Sequence, residues 1–367
     1  MPHHRSLTRH KFIKAVDPSL MERYFSEKHS KANIPPHIIM DVEEVETFLN
    51  DSRNAEAEGL VEQDFRMIND ICEGGKSTLV WVYRKNMIPW DERMSPQSLA
   101  MKLFLDHKSH FDYCYAWFCY RHASGSMSHH RMAGAFKPTK RKLDTFLNEI
   151  KEWFAKLAKG REAIITSYDE KDSTVILIKH GSYVRTVAYW KENEVQILSF
   201  RPANEDILFY DKNKNVLAVK ARLPKDRDQY LKCFARCIIG DESVLSSEDR
   251  DKIYSLEPVQ KGKFNWNGNE KVKDILLTKA CLKLPGATEA TLIISSEDVI
   301  KTMKEEMPDM LDSGELVSAC FRFTLNLDDK NPQVSFMIKP PSVSDLSQKA
   351  HQEIINEFLE EQGVKLV

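Results

Sequence analysis

Six short apolar-rich runs follow one another between Glu162 and Arg222, centred near residues 165, 176, 187, 197, 208 and 218, about 11 residues apart. Polar segments separate them: YDEKD, HGS, KENE, RPANE and DKNKN. Short strands at even spacing, with turn chemistry between them, predict an antiparallel meander that curls into a barrel or a half-sandwich.

The period changes on either side of this run. Leu143, Phe146, Leu147, Ile150, Phe154 and Leu157 recur at helical spacing between Pro138 and Lys159, the stripe of a long amphipathic helix that Gly160 ends. Upstream, the pattern predicts helices at about 17–25, 42–50 and 56–72. STLVWVYR (77–84) reads as a strand. Ser95-Pro96 opens a helix to about Asp106, because serine caps and proline fits the first helical position. HFDYCYAWFCYRH (110–122), dense in aromatics, reads as a strand that SGSM turns into a hairpin partner at HRMAGAF.

Downstream, a helix spans about Asp226–Ile239 and stops at Gly240. Residues 241–270 read as a linker with a helical turn, and the last hundred residues follow a β-β-α-β-β-α order. Val317, Ala319, Phe321, Phe323 and Leu325 alternate with polar groups, which predicts a half-buried strand paired with QVSFMIK through DDKNP. A final helix packs Leu346, Ala350, Ile354, Phe358 and Leu359 and ends at Gly363. The expected class is α+β, with a mixed N-terminal domain, a central antiparallel β-meander and a C-terminal α+β domain. The expected boundaries are a basic arm at 1–40, a mixed domain at 41–160, the meander with its helix at 161–240, a linker at 241–270 and the last domain at 271–367.

Composition narrows the class. A hydrophobic share of 42% with 29% charged residues in 367 residues is that of an ordinary globular protein rather than a disordered one. The longest apolar or aromatic run, Cys114 to Tyr120, is far shorter than the roughly 18 residues of a membrane span. The basic start lacks the apolar stretch of a signal peptide, so no membrane partner and a cytoplasmic location are expected. Seven cysteines without CxxC spacing are expected to be reduced.

Charge adds a local feature to a chain whose net charge is only −2. Ten cations lie between Arg121 and Arg161 against Asp144, Glu149 and Glu152, so this segment carries +7 and the remainder −9. A positive island on an acidic chain attracts anionic partners. Arg121, His122, Arg131, Lys137, Lys140, Arg141 and Lys142 are the expected nucleic-acid-binding residues. The last four gather at the start of the long helix, where free amides and cations suit a phosphate. Tyr113, Tyr115, Trp117 and Tyr120 nearby would stack on unpaired bases.

Other chemistry is thinner. GGKST (74–78) lacks the glycine of a phosphate-binding loop at Asp70 and leaves a helix for a strand, the wrong order. His107, His110, Cys114, Cys119, His122, His129 and His130 crowd together without a familiar zinc spacing, so neither a metal nor a cofactor is expected. Glu205, Asp206 and Asp211 with Lys220 are the best set for metal-dependent hydrolysis, although a turn demands Asp211 in any case.

RPANEDILFYDKNKNVLAVKAR, continuing to FARCIIGDESVL (residues 201–245), resembles a segment of uncharacterised bacterial proteins associated with mobile or phage-defence gene clusters. The resemblance implies no catalytic residue. The leading expectation is a non-catalytic nucleic-acid-binding subunit, DNA or RNA, of a bacterial defence or DNA-transaction system. A protein–protein adaptor and a metal-dependent nuclease centred on Asp206, Asp211 and Lys220 are the alternatives.

Overall fold

The computed structural model of the chain describes residues 9–27, 42–51, 54–72, 76–122, 125–132, 138–191, 194–286, 288–308, 310–327 and 331–366. It divides into two compact units, 1–122 and 123–367. The chain is α+β.

Every described secondary-structure element of the first unit is a helix: α1 (Arg9–Ala15), α2 (Pro18–Glu27), α3 (Val42–Asn50), α4 (Ala55–Asp70), α5 (Lys76–Lys85), α6 (Pro96–Asp106) and α7 (Lys108–Arg121). Ser95 caps α6 by accepting from Ser98 N at 3.0 Å, as its sequence predicts. Two expected strands are helices instead. In α5, Leu79, Val82 and Tyr83 are buried at i, i+3 and i+4. In α7, Phe111, Cys114 and Phe118 are buried at i, i+3 and i+7. The 3.6-residue period outweighs the β-branched and aromatic residue types. The described part of the expected N-terminal arm is core, with Phe12, Tyr24 and Phe25 buried around Phe65.

The second unit holds β1 (Met127–Arg131), α8 (Lys140–Lys156), β2 (Ala163–Asp169), β3 (Ser173–Gly181), β4 (Arg185–Lys191), β5 (Glu194–Phe200), β6 (Ala203–Asp211), β7 (Val216–Lys220), α9 (Pro224–Cys233), α10 (Glu257–Gln260), β8 (Val272–Lys283), β9 (Thr291–Ser295), α11 (Val299–Glu306), β10 (Glu315–Leu325), β11 (Gln333–Lys339), β12 (Val343–Ser344) and α12 (Gln352–Glu361). A π-helical segment, Phe234–Ile239, continues α9 to Gly240. Among the described residues, ten strands make one antiparallel sheet in the order β2-β3-β6-β7-β1-β12-β11-β10-β8-β9.

All six central strands exist, but they do not form a closed barrel or a continuous meander. The sheet is open, β3 pairs with β6, and β4 and β5 form a two-stranded sheet of their own. The sheet also runs across the expected boundaries at 160 and 240–270. The expected linker is packed structure: Ile253, Tyr254, Leu256, Val259 and Phe264 belong to the C-terminal core.

β1 is the joint of this sheet. The strand expected at HRMAGAF (130–136) as a partner of residues 110–122 overlaps β1 only at His130 and Arg131, and residues 133–136 lie outside the described residues; β1 pairs with β7 on one side (Ser128↔Val219, His130↔Leu217) and β12 on the other (Met127↔Ser344). Directly paired residues share a face and neighbours along a strand alternate. Ser128 and His130 therefore face the core of Val219, Leu217, Phe146, Phe154 and Tyr230, which α8 and α9 cover. Met127 and His129 face the opposite side with Ser344 and Ile338, in line with the core that α11 and α12 cover. The helical cover changes face at β1.

His129 sits in this joint, its Nδ1 3.1 Å from Ser342 O and its Nε2 3.3 Å from Ser347 Oγ. Burial, with the nearby His130 and Lys365, pushes its imidazole down to about 4 from an ordinary 6.5. The folded state thus holds His129 neutral where the unfolded chain protonates it, and stability falls as pH drops through that window. Denaturant titrations are expected to lose about 3 kcal/mol between pH 6.5 and 4, and His129→Gln to flatten that part of the profile. An equally steep profile in the variant would contradict the assignment.

Candidate interaction surface

The pairing of β3 with β6 ends at Gly181↔Ala203, where Ser182 N donates to Pro202 O at 2.8 Å. Beyond this point β4 and β5 leave the sheet and run together from Arg185↔Phe200 to Lys191↔Glu194. Seven residues at about 3.3 Å each make a ribbon roughly 23 Å long. Val187, Tyr189, Trp190, Val195, Ile197 and Phe200 supply the strand-forming residue types. Cross-strand bonds fix the register: Thr186 Oγ1 to Ser199 Oγ and Tyr189 Oη to Gln196 Oε1, both 3.0 Å.

No described side chain of this arm is buried. Trp190 and Ile197 are 75% exposed and Val195 60%, and Tyr183, Val184, Val187, Tyr189, Leu198 and Phe200 are also open to solvent. The register gives the two faces different chemistry. One carries Thr186, Ala188, Trp190, Val195, Ile197 and Ser199, without a charged residue; the other includes Arg185, Glu194 and Gln196.

The root of the arm is fixed, in contrast to its surface. Arg201 Nη1 donates to Ala158 O (2.9 Å) and Ser182 O (2.7 Å), joining the arm to the carbonyl end of α8, where a cation is favoured. Lys159, one residue on, is buried with its Nζ 2.5 Å from Asp226 Oδ2, and Trp153 Nε1 donates to Asp226 Oδ1 at 3.3 Å. Gly160 turns the chain at φ +86°. A Cβ at Gly181 would lie 2.6 Å from Lys159 O, so glycine permits the close approach of strand and helix end.

His180 is stacked on Phe154 (centroids 4.1 Å) and bonds Gly181 O at 2.8 Å and Asp206 Oδ2 at 3.0 Å. Tyr230 Oη donates to the same Asp206 oxygen at 2.7 Å. Burial, then the Asp206 charge, pushes the Tyr230 phenol far above its ordinary range, which keeps it a donor.

The expected nucleic-acid residues fall in both units and differ in their surroundings. Arg121 ends α7 over the Trp117 ring and His122 stacks on Phe118, both in the first unit. Arg131 Nη2 donates to Lys252 O and Leu366 O, and Lys142 Nζ to Ile238 O at 2.5 Å, so both are spent on protein carbonyls. Lys140 and Arg141 are exposed at the start of α8, after the N-cap Thr139. Lys137 lies outside the described residues.

The hydrolase set is brought together only in part. Asp211 accepts from Asn213 N and Lys214 N in a turn and Glu205 faces Lys179 (3.6 Å), whereas Lys220, paired with Ile207, lies close enough to the buried Asp206 to feel its charge. Among the described residues, no three His, Cys, Asp or Glu gather as metal ligands. No helix among them is long and apolar enough to cross a membrane. The seven cysteines are free.

The fold brings together one constellation invisible in sequence. His130 Nδ1 lies 2.7 Å from Asp251 Oδ1 and its Nε2 3.0 Å from Ser128 Oγ. This has the connectivity of a nucleophile, base and orienting acid. Ser128, however, is 3% exposed, and its Oγ also bonds Val219 O at 3.3 Å. The set ties β1 to β7 and to the 251 loop. Arg250 and His130 hold the Asp251 carboxyl below its usual range despite the opposing effect of burial.

No protein-family model and no curated protein matches the chain.

Gly181→Ala is expected to force strand and helix end apart at a cost of about 1–3 kcal/mol. The checks are a lower Tm and faster proteolysis at the arm's root; an unchanged Tm would refute the close approach.

Proposed function

We propose that this chain is a non-catalytic assembly subunit that holds a protein partner on the β4–β5 arm. One observation carries the reading: seven large apolar side chains, 36–75% exposed, gathered on the two strands of one ribbon, with Tyr183 and Val184 exposed at its foot. Exposed apolar groups scattered singly are ordinary, but a contiguous set marks an association site. A two-stranded ribbon without cover is also marginally stable and offers unpaired strand edges, both of which a partner would relieve. The resemblance of residues 201–245 suggests a bacterial defence or DNA-transaction complex as the setting. In nuclease-treated extract the protein is expected to elute in a complex larger than itself, and Trp190→Ser with Ile197→Ser to return it to its single-chain size. Identical elution of the two proteins would overturn this function.

A second reading, nucleic-acid binding, is favoured by a strip on the first unit. Trp81 and Tyr113 stack at 6.4 Å, Tyr113 and Trp117 meet edge-on at 6.3 Å, and Trp81 is 50% exposed. Lys85 lies over Trp81 (4.8 Å) and Arg121 over Trp117 (5.8 Å), so a cation stands at each end. Alternating ring faces and cations suit an unpaired strand. Mobility shifts with single-stranded oligonucleotides are expected to weaken about tenfold in Trp81→Ala, and Arg121→Ala to flatten the salt dependence. Variants that shift like the parent would remove this reading.

A further inference from the structure

We infer that an open cleft of about 510 Å³ in the second unit binds a small organic phosphate. The site involves none of the arm's residues. Its lining comes from three segments: Arg131 and Met132 at the end of β1, Lys214 and Asn215 in the β6–β7 turn, and residues between 241 and 250. Two backbone bonds hold these segments together, Arg131 N to Arg250 O at 2.8 Å and Met132 N to Asn215 O at 2.7 Å. The volume falls within the roughly 300–1,000 Å³ of small-ligand pockets and is more than a bare phosphate ion fills.

The charge of the lining selects an anion. Arg131, Lys214 and Arg250 are cationic, against the single carboxylate of Asp241. Asp251 neutralises Arg250 through two bonds, of 2.7 and 2.6 Å. The other two cations are not matched in this way. Lys214 and the buried Lys365 both bond one oxygen of Glu360, at 3.0 and 2.8 Å, so two ammonium groups share one negative charge. Arg131 gives Nη2 to two carbonyls, which accept hydrogen bonds but carry no net charge, and its Nε is buried without a partner. Asp249 lies near enough to feel Arg131 but is itself paired with Lys252 at 3.0 Å. The Asp241 carboxylate is turned back on its own turn, where it accepts from Ser243 N and Ser243 Oγ at 2.8 Å each.

Neutral donors complete the lining. Asn215 Oδ1 accepts from Tyr210 Oη at 3.0 Å, which leaves the amide N–H groups of Asn215 to donate. Ser247 Oγ accepts from Asp249 N at 3.3 Å and keeps its own hydrogen. Donors converging from separate segments suit the several terminal oxygens of a phosphate, whose charge would offset the surplus. Among the described residues no aromatic side chain lines the cleft, so a nucleobase would find no ring to stack on. A phosphorylated sugar fits both the volume and the polar lining.

The test is calorimetric titration of the purified full chain with ribose 5-phosphate and with inorganic phosphate, at constant ionic strength. The expected result is saturable binding of one ribose 5-phosphate per chain, tighter than that of inorganic phosphate. Lys214→Gln should weaken it about tenfold, the loss of one charge-assisted bond. Asp241→Asn keeps a capping side chain and removes the negative charge of the lining, so it should tighten binding severalfold. Both residues are exposed, and melting curves matching the parent should accompany both variants. Lys301→Gln, on the exposed side of α11, should bind as the parent does. Absence of saturable binding at millimolar ligand would overturn the site, as would binding that Lys214→Gln and Asp241→Asn leave unchanged. Inorganic phosphate binding as tightly as ribose 5-phosphate would overturn the organic ligand.

Discussion

Five residues, Met-Ser-His-His-Arg, hold the second unit together. β1 spends its backbone groups on β7 and β12, and its removal would separate β2-β3-β6-β7 from β12-β11-β10-β8-β9. An interior strand with cover on both faces is ordinarily a run of branched apolar residues. Four residues of β1 are buried, and three of them are polar. They are tolerable because their polar groups have partners: Ser128 on Val219 O, His129 on Ser342 and Ser347, His130 on Asp251 and Ser128. A slip of one residue would break all of these bonds and turn each histidine to the wrong core. Polar satisfaction therefore sets the register where hydrophobic patterning is silent, and that register lets the two helical layers lie on opposite faces.

The same principle operates at the root of the arm, with higher stakes. Lys159 and Asp226 are a buried ion pair, 67 residues apart in sequence, and such a pair specifies geometry more reliably than it adds stability. Loss of either partner strands a charge, at about 3–5 kcal/mol. Arg201, Gly160 and Gly181 gather around that pair, and the His180–Asp206–Tyr230 network lies beneath the last residues of β3. The arm therefore starts from a rigid base and ends in solvent. A flexible loop would lose far more conformational entropy on docking than a ribbon already held in register.

Local periodicity made much of this fold legible. The six strands, α6 with its serine cap, α8 with its stripe and the C-terminal element order all follow from spacing and turn chemistry. Strand partners do not, because β3 with β6 and β1 with β7 and β12 are long-range choices. Helices α5 and α7 were hidden by residue type, though Leu79, Val82 and Tyr83 already carry the helical interval. The surroundings of the basic residues were not legible either, because their partners come from distant parts of the chain. Arg131 and Lys142 cap carbonyls, Lys159 meets an aspartate from α9, and Arg121 belongs to a different unit from Arg131. The arm had a signal that went unused, since VRTVAYW and EVQILSF put apolar groups on both faces, unlike a half-buried strand at a sheet edge.

Energetics indicate why the arm's open face matters more than its edges. At about 25 cal/mol per Å², covering on the order of 400 Å² on the arm and a similar area on a partner is worth roughly 20 kcal/mol gross. Association itself costs about 4–15 kcal/mol, before side chains are ordered. The margin is positive but narrow, so area alone does not settle the affinity. What remains is fit: a bulky indole beside an alanine allows close packing, whereas a flat apolar surface would leave gaps whose lost dispersion contacts consume the margin. An added charge on this face would have to be desolvated, which the same margin cannot absorb. The uncharged face and the alternation of large and small residues on it are thus one constraint, met by the register that Thr186 and Ser199 fix at its base.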